Sequence, residues 1–217
     1  MSIPHAANRF RKTPIDGWDG TQWVSSIARG SFVSSQRFLS DRESDNKLRT
    51  ILLSPDEPIP PEFATIRVGG PDSVYLVGRT VEDVAEFPYS LITYIRRAYY
   101  QCSILAFIQK TTASGLKVAP SKGSLGTFFC DRETVTSVAS KEFDNVKFGD
   151  EVVVLPRGTP VNTTNEILIG TVTYEVEQVY DMNGYRYCRS IARPTSGLDS
   201  ELRGAGVSDS IVHGGLI

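Results

Sequence analysis

Histidine is almost missing from this chain. Among 217 residues there are two, His5 and His213, one near each end. A Ser-His-Asp or Cys-His machine, or a histidine-based zinc site, would need one of those termini folded into a pocket. Cysteine is scarce as well. Cys102, Cys130 and Cys188 are widely spaced and odd in number, which suits buried thiols in a reducing compartment better than a disulfide framework or a metal site. Long hydrophobic runs are absent too. The longest conspicuous one, Ile104 to Ile108, is far short of the ~20 residues a spanning helix needs, and the first residues lack the basic-then-apolar order of a signal peptide. No membrane partner is expected. Nor does charge of one sign dominate: 23 Lys and Arg face 25 Asp and Glu, a net charge of −2. That balance argues against nucleic-acid binding as the main task.

Stretches that suggest chemistry have plainer readings. Lys122-Gly123-Ser124-Leu125-Gly126 lacks the order in which Gly-Lys-Ser/Thr opens a helix under a phosphate, so it reads as a loop. Asp16-Gly17-Trp18-Asp19-Gly20 does not have the spacing of a calcium loop, and paired turns account for it. Asn162-Thr163-Thr164 matches a glycosylation acceptor but sits in a turn. The carboxylate pairs Glu82-Asp83 and Asp41/Glu43 have no spacing that marks an acid and a base. Arg96-Arg97 beside Tyr99-Tyr100 mixes basic and aromatic residues as single-strand binding surfaces do, and a helix with one solvated face explains it as well. No catalytic, metal or cofactor site emerges, and no enzyme is expected.

What the chain does contain is strand patterning, clearest from Asn145 to Ala192. Between Val172 and Tyr180 apolar and polar residues alternate, with Val172, Tyr174, Val176 and Tyr180 on one face, as in a half-buried strand. Asn183-Gly184 then offers two residues that tolerate positive φ, a strong hairpin signal. With these as the loop, Met182 pairs with Tyr185, Asp181 with Arg186, Tyr180 with Tyr187, Val179 with Cys188 and Val176 with Ile191. Ile167 and Ile169 are out of phase with the even-numbered set that follows, so a bulge or sharp bend is expected at Gly170. Glu151 to Leu155 reads as a further strand, stopped by Pro156 and followed by a turn at Arg157-Gly158-Thr159-Pro160.

The rest is organised around this body. Residues 1–61 read as an extended N-terminal arm ending in a stiff Pro-rich linker, Ser54 to Pro61. Trp18 and Trp23 lie in it, either packed on the domain's own surface or anchoring the arm on a neighbour, since tryptophan is enriched at binding hot spots. They are the candidate partner-binding residues. Residues 62–194 form the mainly-β body, in which Ile66–Val68 and Val74–Val77 flank a turn at Gly69-Gly70-Pro71-Asp72. Leu91, Ile92, Ile95, Tyr99, Cys102 and Ala106 recur at helical spacing, which predicts a helix from about Ser90 to Gln101 followed by a strand through Ile108. Val135, Val138 and Ala139 permit a second short helix. Residues 195–217 read as a flexible Gly- and Ser-rich tail. The expected fold is therefore mainly β: a small antiparallel barrel or sandwich with one or two short helices and extended arms.

Short strands opened by Val146-Lys147-Phe148-Gly149-Asp150-Glu151-Val152, with arms at both ends and no active-site signature, resemble the neck proteins of tailed bacteriophages, which complete or close the head or join it to the tail. The likeness covers about residues 145–192. It implies a structural virion protein, assembled in the host cytoplasm, repeated as copies of itself in a ring between portal and tail proteins and retaining packaged DNA, with at most non-specific contact to that DNA. A tail-tube or capsid-decoration protein is the neighbouring expectation. The alternative of another class is a small OB-like barrel that binds single-stranded nucleic acid or a ligand.

Overall fold

Among the described residues twelve strands close into two barrels of six. The computed structural model describes residues 13–33, 48–83, 90–108, 111, 114–117, 121–135 and 150–194. The first barrel contains β1 (Thr13–Trp18), β2 (Trp23–Val33), β3 (Leu48–Leu53), β4 (Thr65–Val68), β5 (Val74–Asp83) and β6 (Ser90–Arg97). The second contains β7 (Tyr100–Ile108), β8 (Ser121–Thr134), β9 (Glu151–Pro156), β10 (Glu166–Ile169), β11 (Val172–Met182) and β12 (Tyr185–Pro194). The fold is mainly β, as expected, and every ladder is antiparallel.

Both barrels have the same connectivity. Round each one the order is first, second, third, sixth, fifth, fourth, with the fourth pairing back onto the first. The third strand therefore reaches the fourth by crossing an end of the barrel, a Greek-key connection. In the first barrel the crossing chain is Ser54 to Ala64, and in the second Arg157 to Asn165. The ladders also match in register. Ile66 pairs with Tyr75 as Ile167 pairs with Tyr174, and all four side chains are buried. Val77 pairs with Ile95 and, past a bulge, Thr80 with Thr93; Val176 pairs with Ser190 and, past a bulge, Val179 with Cys188. The described residues form two six-stranded units of one connectivity.

Each barrel is filled by its inward residues. Ile15, Ala28, Ile51, Leu53, Ile66, Val68, Tyr75 and Ile95 form the first core; Cys102, Ile104, Cys130, Val153, Leu155, Ile167, Tyr174, Val176 and Cys188 lead the second. Burying each large aliphatic side chain is worth roughly 1.5–3 kcal/mol relative to exposure. The three cysteines are free thiols in the second core, and burial pushes the Cys188 thiol up to about 12.

Several expectations are corrected. The described part of residues 1–61 is not an arm: Thr13–Trp18, Trp23–Val33 and Leu48–Leu53 are three staves of the first barrel, closed on β4 and β6. The Pro-rich segment is no linker but the Greek-key crossing, and its Ile59 packs against the first core. Ser90 to Gln101 is not a helix. It is β6, a break at Ala98-Tyr99, and the start of β7. On β6 the inward Thr93 and Ile95 and the outward Ile92 and Arg96 are all buried, so period-two alternation is lost and a helical spacing shows instead. Among the described residues there is no helix. The second short helix lies mostly outside them, as do His5, His213, Asp41, Glu43 and residues 195–217.

The Asn183-Gly184 hairpin has the expected loop, with φ of 51° and 85°, and the expected pairs from Met182↔Tyr185 to Val179↔Cys188. Tyr180 and Tyr187 stack with centroids 5.5 Å apart, and Arg186 donates to Asp181 at 2.8 Å. Val176, however, pairs with Ser190 rather than Ile191, because Glu177 forms a bulge. That bulge moves Tyr180 off the face of Tyr174 and Val176: the latter two lie in the second core, while Tyr180 packs outside it. Gly170, with φ of 58°, is in a two-residue turn between Ile169 and Val172, so it is a sharp bend and not a bulge.

Candidate functional site

The place where this chain concentrates unusual side chains is the junction of its two barrels. A third apolar cluster lies there, outside both barrel cores. From the first barrel come Val74 and Leu76 of β5, with Ala98 just after β6; from the second come Val135, Val152, Val154, Tyr185 and Tyr187, with Tyr180, Met182 and Phe129 packed against them. β9 is thus apolar on both faces. Val153 and Leu155 fill the barrel while Val152 and Val154 cover the junction.

Trp18 and Trp23 pair across the end of the β1–β2 hairpin, with ring centroids 5.3 Å apart. Asp19 holds the turn between them: its Oδ1 accepts from the backbone N–H of Thr21 and Gln22 at 2.8 Å. Both indoles meet Phe129 of the second barrel, at 5.5 and 5.6 Å. Arg67 lies 4.7 Å over Trp23 and donates to Asp16 at 2.8 Å. Asp16 also accepts from the N–H of Ser26, and these two bonds hold its carboxyl below the usual range. The two candidate residues are therefore brought together, and they anchor one barrel of the chain on the other.

Arg96 is the polar centre. It is 4% exposed and donates to Asp131, fully buried, at 2.9 Å, and to Glu133. Burial works against its charge, but Glu133 and Asp131 outweigh that and its pKa is raised. A buried charge needs partners of this kind. Close backbone approach completes the junction. The N–H of Arg79 donates to the carbonyl of Asn183 at 2.9 Å, and a Cβ on Gly184 would lie 2.5 Å from the Gly78 carbonyl carbon.

The junction brings together aromatic rings, aliphatic side chains and a satisfied ion cluster, with no nucleophile beside a base. Among the described residues no group of three or more His, Cys, Asp or Glu could hold a metal ion, and no helix is long and apolar enough to cross a membrane. Lys122 to Gly126 is not the loop it reads as, nor does it precede a helix: it lies within β8. Asn162 Oδ1 accepts from Thr164, so this segment is a turn as expected. Arg96, Asp131 and Phe129 were not singled out as a constellation by the sequence. An arginine pair, Arg96-Arg97, closing an apolar strand was the available signal.

No family model matches the chain, and no curated protein matches it. Among solved structures, the solution structure of protein SF1141 from Shigella flexneri 2a is similar over 46% of this chain and 96% of that one. The identity is 14% and the TM-score 0.36, a likeness that carries no argument about function.

Proposed function

We propose that this chain is a structural protein of a larger assembly, a ring-forming component of the head-to-tail neck of a tailed bacteriophage. The observation that carries the structural part is the junction: Arg96 on Asp131 and Glu133, the tryptophan pair on Phe129 and the Arg79–Asn183 bond each join one closed barrel to the other. Closed barrels leave no free strand edges, which suits a part that bears load and must not pair out of register. The placement in a phage neck rests on the resemblance of residues 145–192. Quantitative mass spectrometry of purified virus particles tests it. A fixed, ring-sized copy number per particle is expected; absence from particles would refute the placement.

A second reading has one observation in its favour. Tyr99 and Tyr100 are exposed, with Arg97 5.3 Å over the first and Arg132 5.5 Å over the second. Stacking platforms for single-stranded nucleic acid are built this way. The six-stranded closed barrels differ, though, from the five-stranded, partly open OB fold. Binding of a fluorescent single strand that weakens steeply with salt would support this reading.

A further inference from the structure

The internal repeat gives each element a counterpart, and one counterpart is elaborated. Gly17 pairs with Ile66 where Ile104 pairs with Ile167, so Trp18 corresponds to Leu105. In the first barrel the hairpin ends there, at Trp18↔Trp23, and that end docks on the neighbouring barrel through Phe129. In the second barrel the matching hairpin runs on, through Leu105↔Ser124 and Ile108↔Ser121 to a bridge between Thr111 and Lys117. The extension bears Phe107, Ile108 and Leu116 at 57%, 40% and 69% exposure, with Leu125 at 44% at its base. Lys122 reaches Glu166 at 2.9 Å there. From Tyr100 to Cys130 the chain has three lysines, at 110, 117 and 122, and no acidic residue.

We propose that the extended β7–β8 hairpin docks on a second copy of this chain, against the Ser54–Ala64 crossing at the end of its first barrel. The proposal rests on the assembly reading above and names the contact that would build it. Two observations select that occupant. The position in the repeat is the one that already joins barrel to barrel within the chain. The crossing is also complementary: Asp56, Glu57 and Glu62 are exposed and no basic residue lies between Ser54 and Ala64. Its Pro55, Pro58 and Pro61 are exposed too, and a proline-stiffened surface loses little entropy on receiving an aromatic side chain. Second-barrel hairpin on first-barrel crossing is a heterologous contact, which repeats from copy to copy and closes into a ring if the rotation permits.

Sedimentation equilibrium of the full chain over a concentration series tests this. The unaltered protein is expected to self-associate, more weakly at high salt. Phe107→Ser with Leu116→Ser should raise the dissociation midpoint at least tenfold. The melting temperature should not move, since both side chains are exposed. Lys117→Glu should also weaken association, and adding Glu57→Lys should restore part of it. A hairpin variant that melts normally and associates as the unaltered protein does would overturn the proposed contact and leave the assembly reading standing. An unaltered chain that stays monomeric at every concentration would overturn the assembly reading itself.

Discussion

Arg96 shows how a residue that reads as ordinary surface charge becomes structural. Removing the guanidinium leaves Asp131 charged in a site with no solvent exposure. Breaking such a pair from one side costs about 3–5 kcal/mol. Arg96→Met is therefore expected to lower the unfolding free energy measured by urea titration by an amount in that range. Replacing Asp131 and Glu133 by apolar residues as well should recover much of the loss, because the desolvation cost disappears along with the attraction. Asp16 supports a pH prediction. Its carboxyl is held below the ordinary range by the Ser26 N–H and Arg67, so it contributes stability above its unfolded pKa of ~3.9. That contribution is lost as the pH falls through the lower folded value. The unaltered protein should thus lose stability between pH 5 and 3 (roughly, since carboxylates titrate there) more steeply than Asp16→Asn, in paired denaturant titrations at the two pH values.

At the scale of elements, the β1–β2 hairpin and the Asn183-Gly184 hairpin are the two clamps of the junction. Trp18→Ala with Trp23→Ala should now destabilise the isolated chain, by a few kcal/mol for two half-buried aromatics facing Phe129, where an arm would have left folding untouched. Thermal melting decides between these. Gly184→Ala should cost at least ~1–2 kcal/mol for the left-handed backbone alone, and more because its Cβ would meet the backbone of Gly78. Residues 151–192 of the second barrel were legible in advance because β11 begins in clean alternation and the turns carry Asn183-Gly184, Gly170 and Gly158. In the first barrel only the β4–β5 pair was. Its β2, Trp23–Val33, turns Ala28 and Gly30 inward, and a Cβ at Gly30 would lie 2.4 Å from Ile51. Small residues demanded by packing look like loop composition in a sequence. β6 was misread for the opposite reason: both of its faces are buried. The junction stayed hidden because its members are scattered from Trp18 to Tyr187 and meet only once both barrels close.

For the whole molecule, the repeat matters more than either barrel. Matched positions keep Ile66 with Ile167, Tyr75 with Tyr174 and Val77 with Val176, but Thr93 faces the first core where Cys188 faces the second. The two barrels match in pairing register and little in residue identity, which is why the repeat shows in the ladders and not in the letters. An exposed apolar hairpin on one barrel and an exposed acidic crossing on the other are unlike patches, and unlike patches that meet head to tail build rings or filaments. Native mass spectrometry of the full chain across a range of concentrations tests this most directly. One closed multiple of the 23.9 kDa chain, persisting as the concentration rises, is the expected result. A monomer at every concentration would contradict it.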